Sequence, residues 1–288
     1  MTYFATMVIG DNPEGQMAPY HEYESTGIND QYVKDVDITD LTLEEYEQEK
    51  IMQEKDFSFL YFLTNFSRHP FLKNISDIDI YNEHSYGYYT IIDDNIKVFK
   101  RTNPFSKWDH FSLGDGYFRL KPKENNSLSS SHALKSEIDF EFMMNQERIR
   151  ASNEYDLYHE IVNTHSKPKT LEEFKRQYQK TNSYAEIRSM YKRQDAMIAL
   201  SRFDKFKYHI GCIVSRYNQP KDEFVDYEAL KTIATEGLVK DSVWYANREK
   251  AWFTDSPSVS DYVWLKETWK LIQSLPDDTL ITIYECHS

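Results

Sequence analysis

Between Asn103 and Lys123 the chain reads NPFSKWDHFSLGDGYFRLKPK, with five aromatic residues around a Gly114-Asp115-Gly116 turn. Aromatic side chains suit pleated, half-buried surfaces, and Gly-Asp-Gly supplies the positive φ angles of a tight reversal, so this stretch predicts a β-hairpin. A second hairpin is predicted where Tyr86–Ile92 and Ile96–Arg101, both strand-like, flank Asp93-Asp94-Asn95. Alternation over Tyr3–Ile9, ended by Gly10-Asp11-Asn12-Pro13, predicts a short N-terminal strand, and Thr279–His287 a C-terminal one.

Helical signals fill the middle of the chain. Thr42-Leu43-Glu44-Glu45 and Thr170-Leu171-Glu172-Glu173 both have the form of a capping box, predicting helices from Thr42 to about Lys55 and over 170–179. Residues 132–164 and 184–203 carry helical periodicity, and Asp261–Leu275 is a further helix stopped by Pro276. Tyr208–Val214 reads as a strand, 227–234 as a short helix, and Ser242–Phe253 as a reversal centred near Asn247. FSFLYFLTNF (57–66) suits either a buried helix or a core strand, and residues 14–38 read as acidic and irregular. The expectation is an α+β protein: an antiparallel sheet that includes both terminal strands, with a helical middle region. Three regions follow: 1–123, mainly sheet with an acidic N-terminal segment; 124–207, helical; and 208–288, α/β, returning its last strand to the sheet.

Charge is distributed unevenly. Of the net −13, the stretch Asp11–Leu60 alone holds −11, from 14 acidic residues and 3 lysines, whereas Ser166–Arg193 carries eight Lys and Arg against three Glu. Such opposite lobes steer a partner, or a second copy of the chain, and disfavour direct nucleic-acid binding on the acidic side. The simplest account of either lobe is a solvated surface. Glu44, Glu45, Glu47 and Glu49 are the acidic candidates for a binding face. No apolar run reaches the length of a membrane-spanning helix, two cysteines are too few for a disulfide framework, and the N-terminus lacks a secretory pattern. A cytoplasmic location is expected.

Three segments carry residue types with chemical potential. His21-Glu22-Tyr23-Glu24 sets an imidazole beside two carboxylates, a combination able to activate water or hold a divalent ion, although the spacing matches no metal pattern. Trp108-Asp109-His110 could orient a histidine through a carboxylate, but on a strand Asp109 faces away from His110, which favours Trp108 as an anchor of the sheet. His209, Cys212, Cys286 and His287 together include the ligand types of a zinc site. On strands each pair splits across two faces, so no metal is expected. Walker A, GxGxxG, HExxH and GxSxG motifs are absent, and no cofactor is expected.

Three blocks, VIGDNPEGQMAPYHEYESTG (8–27), NPFSKWDHFSLGDG (103–116) continuing through SHALKSEIDFE (131–141), and LPDDTLITIYECH (275–287), resemble a phage and prophage family of cytoplasmic proteins. In that family the second block reads Trp-Asp-Trp-Tyr and then Gly-Gly-Arg-Trp. Here Trp108-Asp109-His110-Phe111 and Gly114-Asp115-Gly116-Tyr117 stand in their place, so any anion-binding role of the arginine is lost or moved. The resemblance implies a phage-encoded accessory protein that binds and antagonises a host bacterial complex, for example an anti-phage defence system of the Gabija type. Self-association of 11–60 with 166–193 is a further expectation. An enzyme, a hydrolase or nucleotide-modifying activity using His21, Glu22, Glu24 or the 108–110 segment, is the alternative. An acidic mimic of DNA is the second.

Overall fold

In the computed structural model, residues 3–22, 30–66, 71–73, 87–114, 119–125, 127–180, 182–207, 212–247 and 260–288 are described. In chain order the elements are β1 (Tyr3–Ile9), α1 (Pro13–Met17), β2 (Lys34–Asp37), α2 (Thr39–Gln53), α3 (Phe59–Tyr61), β3 (Leu72–Lys73), β4 (Tyr88–Ile92), β5 (Asn95–Thr102), β6 (His110–Leu113) and β7 (His132–Leu134). Then come α4 (Phe140–Asn163), α5 (Leu171–Tyr178), α6 (Tyr184–Lys192), α7 (Asp195–Leu200), α8 (Asp204–Lys207), α9 (Ile213–Arg216), α10 (Lys221–Leu230), β8 (Gly237–Lys240), β9 (Val243–Ala246), α11 (Asp261–Ser274) and β10 (Leu280–His287). The fold class is α+β, and the two terminal strands are sheet neighbours, in the order β6-β10-β1-β8-β9, with β7 also pairing β10.

The chain divides into two compact units. The first takes residues 1–114, 238–244 and 284–288. Its β1 is half-exposed at the start and fully buried from Thr6 to Ile9, because both faces of a central strand are covered. Asn12, in the left-handed conformation at φ 50°, caps α1 by accepting from Gly15 N at 3.3 Å. Gln16 then reaches back to donate to Ile9 O and Asp11 O, which fixes the exit from β1. A second sheet, ordered β2-β5-β4-β3, is built on the predicted β4–β5 hairpin, whose two turn residues Asp93 and Asp94 both hold positive φ. Phe62, Leu63, Phe71, Tyr89 and Val98 form the small core against this sheet.

The second unit takes residues 115–237 and 245–283. Its core gathers Tyr158, Ile187, Tyr191, Leu200, Phe206, Tyr217 and Phe224 from α4 and α6–α10. Capping boxes at Thr170–Glu173 and Ser183–Glu186 start α5 and α6, the first of them as expected.

Several local expectations are corrected. Helix α2 begins at Thr39, where Asp37 accepts from Thr39 N and Oγ1, and Thr42 is instead a buried first-turn residue bonded to Ile38 O. Part of the stretch 14–38 is regular: Lys34–Asp37 pairs with β5. Of the two readings open for 57–66, the helical one holds from Phe59 to Phe66, with a π-helical turn over Phe62–Phe66. Residues 132–134 pair with β10, and the following helix starts only after Asp139, which caps it through Phe142 N. The helix expected over 184–203 is broken because the extended Gln194 turns its side-chain amide to the backbone of Lys169 and Tyr191. Ile213 and Val214 are helical rather than extended, tied down by Tyr191 Oη at Val214 N. Asp241 and Ser242, both at positive φ, form a turn that joins β8 to β9, and the second arm of the reversal expected near Asn247, residues 248–253, lies outside the described residues. At the hairpin expected around Gly114-Asp115-Gly116, β6 pairs with β10, Leu120 bridges Ser130, and residues 115–118 lie outside the described residues, as do 208–211.

Candidate functional site

The Trp108-Asp109-His110 segment meets residues of both other chemical segments. His21 and Trp108 form a parallel β-bridge, with Glu22 N donating to Trp108 O at 2.7 Å and Lys107 N to Tyr20 O at 2.7 Å. Asn103, 1% exposed, supplies the second clamp: its Nδ2 donates to Pro19 O and His21 O while its Oδ1 accepts from Phe105 N. A buried amide spanning three backbone groups is a satisfied polar node that fixes both loops. Trp108 is buried among Phe4, Tyr20, Phe111 and Trp244, with ring centroids 5.5–6.5 Å apart. Its role is that of an aromatic anchor, as the strand argument expected.

The flanking residues diverge. Asp109 turns to His287, with Oδ1 2.7 Å from Nδ1, while Asp109 N donates to His287 O at 3.0 Å. The His287 bond is the largest influence holding the Asp109 carboxyl below its usual range. His110, on β6, sits in register opposite His287 and is exposed. Cys286, one residue earlier on β10, points into the interior and reaches Thr6 Oγ1 at 3.4 Å. The alternation along β10 thus sends thiol and imidazole to opposite faces. Glu22 lies 3.8 Å from Lys100, and Glu24 lies outside the described residues, as does His209. Among the described residues no group of three or more His, Cys, Asp or Glu is arranged to hold a metal.

The acidic candidates lie on α2. Its inner stripe, Thr39, Thr42 and Tyr46, faces the small sheet, where Tyr46 packs on Phe57, Phe59 and Phe62. Nearly everything else on the helix is solvated. Leu41, Glu44, Glu45, Gln48, Ile51 and Met52 stand at positions i, i+3, i+4, i+7, i+10 and i+11, so they form one outer stripe. Leu41, Ile51 and Met52 are 64, 76 and 70% exposed, so apolar side chains stand at both ends of an acidic centre.

Sequence reading missed a buried ionic cluster in the second unit. Glu154 on α4 and Glu228 on α10 are 6% and 3% exposed. Glu154 accepts from Arg150 Nη1 at 2.7 Å and from the hydroxyl of Tyr217, whose own ionisation is pushed up by burial and then by that carboxylate. Glu228 pairs with Arg216 Nη2 at 3.0 Å and with Lys231 at 3.4 Å. Arg150 lies across both, held protonated chiefly by Glu147. The Arg150–Glu154 spacing of i, i+4 was visible in the sequence. The partners Arg216, Tyr217 and Glu228 come from elements more than sixty residues away, and nothing local marks them.

No protein-family model matches the chain, and comparison with curated proteins and with solved structures gives no match.

Proposed function

We propose that this chain is an accessory binding protein that engages a basic surface of a host bacterial protein complex through α2. The outer stripe of that helix carries the reading. A solvated helix with bare Leu41, Ile51 and Met52 around Glu44 and Glu45 has the make-up of an interface, in which apolar anchors supply affinity and carboxylates supply orientation and encounter rate. The three blocks similar to phage and prophage proteins support a host complex, including an anti-phage defence system, as the class of target.

The test compares two tagged forms expressed in bacteria, the native chain and a variant with Leu41, Ile51 and Met52 changed to Ser. The reading expects a stoichiometric basic partner with the native form, released by added salt, and its loss from the variant with circular dichroism unchanged. Retention of the same partner by the variant would place the binding face elsewhere.

The Asp109–His287 pairing supports a second reading, acid–base chemistry at the His287 ring. Hydrolytic activity abolished by His287→Ala and retained by the α2 variant would favour it.

A further inference from the structure

In the second unit, the loop before α5 and the end of α6 form one basic corner. Lys167 and Lys169 are exposed on either side of the buried Pro168. Gln194 ties this loop to α6: its Oε1 accepts from Lys169 N at 2.7 Å, and its Nε2 donates to Lys169 O and to Tyr191 O, each at 3.0 Å. The exposed Lys192 and Arg193, placed at the C-terminus of α6 as cations suit a helix dipole, come beside the two lysines. None of the four cations makes an ion pair among the described residues, and Lys169 Nζ meets the neutral Gln177 Oε1 at 3.3 Å. Carboxylates of the same helices are engaged elsewhere, Glu172 by Lys175, Glu173 by Thr170 and Glu186 by Ser183. Asp195, at the start of α7, offsets one charge of the four, so the corner stays basic.

Such a corner fits an acidic partner. Two features favour a carboxylate-bearing helix over a nucleic acid. The chain carries −13 overall, so a phosphate polymer is repelled by the rest of the surface that approaches with the corner. Ile198, one turn along α7 from Gln194, is exposed at its edge, an apolar contact for which a phosphate backbone has no counterpart. Helix α2 offers both kinds of contact: Glu44, Glu45 and Glu47 are exposed and make no ion pair among the described residues, and Leu41, Ile51 and Met52 stand bare beside them. Every copy of the chain presents both surfaces at equal concentration.

We propose that a second copy of this chain docks its α2 on this corner, with Glu44, Glu45 and Glu47 against Lys167, Lys169, Lys192 and Arg193 and an apolar end of the outer stripe against Ile198. The inference rests on α2 being a binding face, as the proposed function does, and adds the chain's own basic corner as an occupant of that face.

Sedimentation velocity of the full chain over a concentration series, at about 10 mM and about 1 M salt, reads the association while the screening length falls from about 30 Å to about 3 Å. Assemblies larger than one chain are expected at low salt and single chains at high salt. Reversing the corner (Lys167→Glu, Lys169→Glu, Lys192→Glu, Arg193→Glu) should weaken association roughly ten-fold or more. Reversing the helix (Glu44→Lys, Glu45→Lys, Glu47→Lys) should do the same, although it brings the net charge nearer zero and would promote non-specific association. An equimolar mixture of the two variants should associate again, because it restores a native α2 opposite a native corner. A native chain that is single at low salt, or a mixture that stays single, would overturn the proposal. A native chain that stays single but binds a single-stranded DNA oligonucleotide, with that binding lost in the corner variant, would overturn it in favour of a polyanion. If the corner variant fails to fold by circular dichroism, the same four positions changed to Gln decide: undiminished association there also overturns it. The corner variant keeps α2 intact, so capture of the host partner by it, and by a native chain that proves single, leaves the α2 reading standing when this inference fails.

Discussion

The carboxylate of Asp109 is bonded to the ring of His287, 178 residues away, and not to that of its neighbour His110. The side-chain bond is matched by a backbone one from Asp109 N to His287 O, so the start of the Trp108-Asp109-His110 turn is stitched to the end of β10.

A pH dependence follows from that pairing. The Asp109 carboxyl titrates below its ordinary value of 3.8 in the folded chain, with the His287 bond as the leading cause. A depressed folded pKa contributes stability above the unfolded value and loses it as the pH falls through the folded one. Urea midpoints of the native chain and of Asp109→Asn should differ at neutral pH, with the native higher, and should converge as the pH drops below 3.8. A difference that persists undiminished in acid would remove ionisation of Asp109 as its source.

In the buried cluster, Tyr217→Phe keeps the ring that stacks on Tyr158 at 4.3 Å and deletes only the hydroxyl held by Glu154. Glu154 retains Arg150 but loses a donor in a site where water is excluded. The expected loss is roughly 1–3 kcal/mol, the range for stranding a buried acceptor. Adding Glu154→Ala to Tyr217→Phe should cost less than the sum of the two single changes, because both remove the same bond. Denaturant unfolding of the four forms gives the cycle, and simple additivity would deny the coupling.

The start of α2 separates the sequence reading from the structure directly. If Thr42 were the cap, Glu45→Ala would damage the helix. With Asp37 accepting from Thr39 N at 2.9 Å, Asp37→Ala should instead lower stability by about 1 kcal/mol, while Glu45→Ala leaves the unfolding midpoint unchanged. The reverse order would restore the capping box at Thr42.

What could be read in advance was what local chemistry decides. The β4–β5 hairpin, the Thr170 capping box and α11 rest on turn residues, caps or periodicity within a short window, whereas the pairing of the terminal strands in one sheet rests on the tendency of chain ends to be tied down by pairing. The errors arose where a distant group overrides a local pattern. Gln194 breaks an otherwise helical run because its amide is taken by Lys169 and Tyr191, and Ile213 and Val214 turn helical after Cys212, whose thiol accepts from Leu171 N, while Tyr191 holds Val214 N. At the candidate sites the same rule holds. Alternation separated Asp109 from His110, and Cys286 from His287, but no local signal could supply His287 as the acceptor's partner or join Arg216 and Glu228.

Alkaline pH should unfold this protein in a defined window. Burial pushes the Cys286 thiol from 9.0 up to about 12, with Thr6 opposing only in part. Burial likewise raises the phenols of Tyr158 and Tyr284 from 10.0 to about 12. In each case the folded state holds its proton more tightly than the unfolded one, so the stabilisation is complete below pH 9 and is lost as the pH rises towards 12. Cys212 works in the opposite sense. Burial pushes its thiol up, but hydrogen bonds from Leu171 N and from Ser215 outweigh burial and set it below 9.0, so its ionised form favours the folded state as the pH climbs towards 9. Cys286→Ala should therefore move the onset of alkaline destabilisation from about pH 9 towards pH 10, where the tyrosines take over. Chemical unfolding at stepped pH, followed by tyrosinate absorbance, measures this directly. A thiol reagent adds an independent readout, modifying Cys212 in the native chain and Cys286 only as the fold is lost. Rapid modification of Cys286 at neutral pH, or an onset that Cys286→Ala does not shift, would show that the buried thiol is not what sets the alkaline limit.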